Sequence, residues 1–217
     1  MSIRLFVFDL DGTLVDSLRD LADSANALLV ECGAPPLDQA AIGAMVGDGA
    51  AELVARALSA AGVQPPADAL DRFLAIYDTK LTDFTRPYEG IPETLDALRK
   101  RASLAVLTNK PLAATRRILA AFDLTTQFED DAIFGGDGPF PRKPDPAALL
   151  ELCARASVQK NEAMMVGDSA VDWRTARNAG TRICLARYGF GFRGFPEADL
   201  RQSEHIIDRP AELLSLP

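Results

Sequence analysis

Two aspartates, Asp9 and Asp11, stand one residue apart at the end of a short apolar run, Ile3 to Phe8, in which only Arg4 is polar. Carboxylates at the mouth of a buried strand are costly unless something offsets their charge. A bound cation is the simplest offset. A phosphate on that cation would meet the free N–H groups of the Asp11-Gly12-Thr13 turn, where Gly12 lets the backbone approach a ligand closely. A carboxylate is already ionised at neutral pH, so Asp9 can serve as a nucleophile without a partner base. Asp11 is then placed to protonate a leaving oxygen and afterwards to activate water. Asp16-Ser17 read as the N-cap of a following helix.

What is scarce is as informative. The chain of 217 residues contains one histidine, His205, near its C-terminal end. A multi-histidine zinc site is therefore excluded, and a Ser-His-Asp triad or a Cys-His pair would need His205 beside the other groups; its preferred reading is a residue on the final strand or its loop. Cys32, Cys153 and Cys184 lie far apart in or beside apolar segments, where cysteine behaves as a small hydrophobe. That usage, with no signal-peptide pattern and no long apolar span, leads us to expect a reduced, cytoplasmic setting. The formal charge is −8, and no long basic stripe occurs. Neither nucleic acid nor an anionic membrane is an expected partner.

Further chemistry-bearing residues follow other apolar runs. Thr108, Asn109 and Lys110 come after Leu104–Leu107, and Gly167, Asp168, Ser169 and Asp172 come after Ala163–Val166. Arg142-Lys143-Pro144-Asp145-Pro146 lies between a short third run and a helix. Taken singly, each has a local reading: Thr108-Asn109 as an Asx or ST turn, Ser169 as an N-cap, Asp172 as a first-turn acid. Taken together, Asp9, Asp11, Asp168 and Asp172 gather more negative charge than can coexist unaided. An all-oxygen set without His or Cys favours Mg²⁺ over zinc or a closed calcium cage. Lys143 adds a fixed positive charge suited to holding a phosphoryl group, and Gly12, Thr108 and Asn109 could bind its oxygens.

The elements that must position these residues are an alternation of strands and helices. Continuous apolar runs at Ile3–Phe8, Leu104–Leu107, Ala132–Phe134, Ala163–Val166, Arg182–Leu185 and His205–Ile207 alternate with helical periods. The pattern predicts an α/β fold, a doubly wound, Rossmann-like parallel sheet with ligands beyond the carboxyl ends of its strands. Helical periods alone fill residues 17–85, with Gly and Pro between them. We therefore expect a small all-helical cap at 17–85, inserted after the first strand into a catalytic core built from 1–16 and 86–217. The expected cap helices are 17–31, 38–46, 50–61 and 68–84.

Asp9-Leu10-Asp11-Gly12-Thr13-Leu14-Val15-Asp16-Ser17 resembles the first motif of the haloacid dehalogenase superfamily, most of whose members are phosphatases. Thr108 looks like its second motif, Lys143 its third, and Gly167-Asp168-Ser169 with Asp172 its fourth. The insert at 17–85 stands where that family places its type-1 helical cap. Val46-Gly47-Asp48-Gly49, Gly135-Gly136-Asp137, Arg142–Pro146 and Tyr188-Gly189-Phe190-Gly191 are, more narrowly, similar to stretches of phosphoglycolate phosphatases. The resemblance implies a Mg²⁺-dependent phosphomonoester hydrolase that acts on a small phosphorylated metabolite through an aspartyl-phosphate. It implies metal ligation by Asp9, Asp168 and the backbone carbonyl of Asp11, with Asp172 holding a metal-bound water or Lys143.

A second acid at Asp11 suits leaving-group protonation and speaks against a dehalogenase. A sugar-phosphate mutase uses the same two acids and stays open, as does a binding protein that has lost turnover, although every required acid is present. In the insert, Gly47-Asp48-Gly49 reads equally as a substrate-reading loop and as an ordinary turn. Arg56 could meet a substrate carboxylate; an i,i+4 pair with Glu52 is the preferred reading.

Overall fold

The computed structural model describes residues 2–200 and 204–216. Six parallel strands form the main sheet: β1 (Leu5–Phe8), β4 (Ser103–Leu107), β5 (Ile133–Phe134), β6 (Ala163–Gly167), β7 (Arg182–Ala186) and β8 (His205–Ile207). Their order is β5-β4-β1-β6-β7-β8, so the first strand lies between β4 and β6. Phe8 is level with Val106 on one side and Val166 on the other. That register brings the residues after each strand to one edge.

The side-chain period of two explains why these strands are apolar throughout. Phe6, Phe8, Leu104, Val106, Met164, Val166 and Cys184 share one buried layer, and Leu5, Val7, Ala105, Leu107, Met165, Ile183 and Leu185 share the other. Helices α5 (Ile91–Leu98) and α6 (Leu112–Ala121) cover the first layer, while α7 (Ala147–Arg155) and α8 (Ala170–Ala179) cover the second. Ser169 and Asp172 start α8 with a reciprocal capping box, and Gly180, at φ 72°, ends it in the left-handed region.

Between β1 and β4 the chain forms α1 (Leu18–Glu31), α2 (Gln39–Gly43), α3 (Ala50–Ala60) and α4 (Ala69–Lys80). The apolar stripe of α1, with Leu21, Ala25, Leu28 and Leu29, is buried against its neighbours. Two short strands, β2 (Val15–Asp16) and β3 (Arg86–Pro87), pair antiparallel where the chain enters and leaves these helices.

Three elements differ from expectation. The ribbon β2–β3 was not foreseen, because two residues carry no period. α4 stops at Lys80 instead of 84, since Asp20 on α1 draws the following chain away. Its carboxylate accepts the N–H groups of Phe84 (3.0 Å) and Thr85 (2.7 Å) and the Thr85 hydroxyl (2.7 Å). α2 stops at Gly43 instead of 46.

Candidate active site

Asp9, Asp168 and Asp172 form a buried group at the shared edge, and one carboxylate oxygen from each lies within 4.8 Å of the others. Asp9 continues β1, with its N–H donating to the Val166 carbonyl at 2.8 Å. Asp168 and Asp172 are carried by the β6–α8 turn. Lys143 reaches in from the loop before α7; its Nζ lies 2.6 Å from Asp172 Oδ1 and 2.9 Å from Asp9 Oδ1. The second oxygen of Asp172 accepts both the N–H and the hydroxyl of Ser169. Asp168 Oδ2 accepts the Gly191 N–H at 2.8 Å.

The electrostatics are unbalanced. Three buried carboxylates share one ammonium, and Asp9 Oδ1 is buried without a hydrogen bond despite its nearness to Lys143. Burial pushes the Asp9 carboxyl up to about 7, with Asp172 adding to the rise and Lys143 opposing it. Burial also raises Asp168, reinforced by Asp172 and Asp9. Burial works against the charge on Lys143, yet Asp172 and Asp9 outweigh it and hold the ammonium above its ordinary range. A divalent cation would balance the excess negative charge, and oxygen-only donors, one of them a buried oxygen that accepts no hydrogen bond, fit such an ion. Close packing completes the site. Gly12 has φ +82°, and a Cβ built on it would lie 1.9 Å from Asp168 Oδ2, so only glycine fits.

Asp11 departs from the expected gathering of acids. Its carboxylate accepts the Ser17 hydroxyl at 2.6 Å and Lys110 Nζ at 2.9 and 3.0 Å. Charged hydrogen bonds are stronger than any contact a crowded carboxylate cluster could offer it. Among the described residues the carboxylates that converge are those of Asp9, Asp168 and Asp172; the expected ligand on Asp11 is its backbone carbonyl, not this carboxylate. Ser17 occupies the N-cap position of α1 but spends its hydroxyl on Asp11 instead of a helix N–H.

Thr108 is buried at the same edge, and its hydroxyl accepts the Lys110 N–H at 3.2 Å. The Asn109 amide is committed to backbone. Its Nδ2 donates to the carbonyls of Gly47 (2.9 Å) and Lys143 (3.0 Å), and its Oδ1 accepts the Lys143 N–H (2.9 Å). Its side chain therefore ties the Lys143 loop to the Gly47-Asp48-Gly49 loop. Arg56 keeps its expected i,i+4 pair with Glu52 at 4.0 Å, but its nearer partners are Asp48 Oδ2 (2.6 Å) and the Met45 carbonyl (3.0 Å), to which it donates. Asp48 and Met45 belong to the loop that leads into α3, and Arg56 reaches both. Gly47 and Gly49 line the cavity next to Asp9 and Asp11.

Lys110 is the functional candidate that motif reading passed over. It is buried, and its Nζ lies 4.6 Å from the ring centre of Tyr77 on α4 as well as against Asp11. A lysine at the C-terminal end of a strand was the available signal; its partners lie far away in sequence.

A buried aspartate group at the edge of this doubly wound sheet, beneath four inserted helices, defines a hydrolase class by fold and site together. The chain belongs to the haloacid dehalogenase-like hydrolase family, whose model matches residues 6–186. Within that family it is 42% identical to a phosphoglycolate phosphatase of Rhodospirillum rubrum over 196 residues, covering 86% of this chain and 80% of that protein. It is 34% identical to the phosphoglycolate phosphatase of Haemophilus influenzae, covering 98% and 97% of the two chains. A crystal structure from Haemophilus somnus, described as a predicted phosphoglycolate phosphatase, superposes with a TM-score of 0.90 at 31% identity, covering 99% of this chain and 98% of that one.

Proposed function

We propose that this hydrolase is a Mg²⁺-dependent phosphatase that removes the phosphoryl group of a small phosphorylated metabolite, 2-phosphoglycolate foremost, through an aspartyl-phosphate on Asp9. The observation that carries the reading is the buried Asp9–Lys143–Asp172 contact beside Asp168, with Asp9 Oδ1 free of hydrogen bonds. The similarity to phosphoglycolate phosphatases supports the substrate.

In this reading Asp9 forms the new bond to phosphorus while the ester P–O bond breaks, its electron pair leaving on the alcohol oxygen. Asp11 gives that oxygen a proton, then takes one from the water that attacks the aspartyl-phosphate. Lys143, the Thr108 hydroxyl and the N–H groups around Gly12 hold the phosphoryl oxygens. Mg²⁺ would be held by Asp9, Asp168 and the main-chain carbonyl of Asp11, and would supply positive charge to the phosphoryl group. Asp172 keeps Lys143 in place.

The helices of 17–85 act as a cap on a core formed by 1–16 and 86–217, with the Gly47-Asp48-Gly49 loop over the substrate. The β2–β3 ribbon at its base and the Asn109–Gly47 bond at its rim support that division. A panel of phosphate esters with Mg²⁺ tests the reading. Turnover of 2-phosphoglycolate, ahead of nucleotides and hexose phosphates, is expected. Failure to release phosphate from every ester, or interconversion of hexose phosphates, refutes it.

A further inference from the structure

The cavity between the sheet edge and α1–α4 holds about 220 Å³, and its walls are largely apolar, with Leu21, Leu53, Phe73 and Leu81 among them. One basic residue, Lys110, is among its lining residues. Lys143 is turned to Asp9 and Asp172, and Arg56 to Asp48 and the Met45 carbonyl. The Tyr77 hydroxyl belongs to the same wall, and it is buried without a hydrogen-bond partner in a residue only 5% exposed. Such a group is costly unless a ligand satisfies it.

We propose that Lys110, with the Tyr77 hydroxyl beside it, recognises a carboxylate on the leaving group of the substrate and so selects anionic over neutral phosphate esters. The inference rests on the phosphatase reading above and names the specificity group within it.

The donor arithmetic supports it. An ammonium has three donors, and Lys110 directs its hydrogen bonds to the two oxygens of Asp11, leaving one over. Tyr77 remains a donor, because burial lifts its phenol to about 12. Charge agrees as well. Lys110 is the basic residue among those that line the cavity. An anion entering apolar walls requires such a partner. Position agrees too. In a 2-phospho acid the carboxylate carbon is two bonds from the ester oxygen, so a group bonded to Asp11 is within reach of both. The Lys110 ammonium thus places recognition one hydrogen bond away from the leaving-group chemistry.

The test compares 2-phosphoglycolate with ethyl phosphate, which puts a methyl where the carboxylate stands, in the wild type, Lys110→Met and Tyr77→Phe, all with Mg²⁺. The readout is the ratio of kcat/KM for the two esters. Lys110→Met should lower that ratio about a hundredfold, the scale of one lost buried ion-pair partner. Tyr77→Phe should lower it about tenfold, the scale of one hydrogen bond to a charged group. Equal losses on both esters would mean that Lys110 serves Asp11 alone, and the inference would fall. Should Lys110→Met fail to fold, the ratio in Tyr77→Phe decides. A wild type that hydrolyses neither ester removes the phosphatase reading and this inference with it. A wild type active on both, with the ratio unmoved by either variant, removes the inference only.

Discussion

Lys143 Nζ lies 2.6 Å from Asp172 Oδ1, and both side chains are almost wholly buried. Asp172 is thereby the hinge pin of the site: one oxygen holds the lysine and the other holds the Ser169 turn that carries Asp168. Asp172→Asn keeps the shape but removes the charge, so kcat should fall about 10- to 100-fold, as when a supporting partner is lost. Asp172→Ala should also cost about 3–5 kcal/mol of folding stability by stranding a buried ammonium. Steady-state kinetics and urea denaturation measure the two effects.

Asp9→Asn should show opposite effects on activity and stability. Turnover should fall by at least about a thousandfold, because an amide cannot form the proposed acyl phosphate. In metal-free solution the same variant should be more stable at pH 7.5. The folded carboxyl is lifted by burial to about 7. A raised acid is stabilising in its protonated form, and that contribution is lost as pH climbs from about 4 to about 7. Removing the group should recover about 1–3 kcal/mol. Chemical denaturation in EDTA at pH 5 and 7.5 reads it, and an equal effect at both values would contradict the assignment.

Magnesium should stabilise the fold. At a hundred times its dissociation constant the gain is about 2.7 kcal/mol, or about 5–10 °C in Tm for a chain of this size. EDTA should reverse the shift and stop turnover together. Asp168→Asn should abolish most of it. Asp11→Asn should retain most of it, because that carboxylate faces Lys110 and Ser17. Differential scanning fluorimetry separates these cases.

Asp20 should prove a structural anchor away from the chemistry. Its buried carboxylate accepts from Phe84 and Thr85 across the two ends of the helical segment. Asp20→Ala leaves buried donors unpaired and should cost about 2–4 kcal/mol; Asp20→Asn should cost less. Unchanged denaturation midpoints in both variants would show that the anchor is redundant.

One thiol should react readily in the native protein. Cys184 is buried and pushed up to about 12 by burial, and burial also raises Cys153. Cys32 is only partly buried, with Arg72 Nη1 at 4.0 Å from its sulfur. Titration with a thiol reagent should give one equivalent in buffer, lost in Cys32→Ser, and three in denaturant.

The sheet was legible because a strand covered on both faces must be apolar along its whole length, and Phe6, Val7 and Phe8 are. The edge was legible because parallel strands end together, which places Asp9, Thr108 and Asp168 from one rule. Pairing between side chains was not. Asp11 meets Lys110, and Asn109 meets Gly47, across distances in sequence over which no periodicity operates. Arg56 illustrates the limit at short range. Helical spacing favours Glu52, but the turn before α3 brings Asp48 closer, and a turn's direction is not written in charge spacing.

The central position of β1 has a consequence for how the enzyme comes into being. The strand that leads into Asp9 is made before both of its neighbours, β4 and β6, which follow about a hundred and about a hundred and sixty residues later. Until then both its borders are open, the condition that invites mispairing with other chains. Assembly must wait for contacts distant in sequence, which slows folding. A nascent or truncated chain ending before Asp168 would therefore carry Asp9 without the acids it meets in the fold, on a strand that still has an open border.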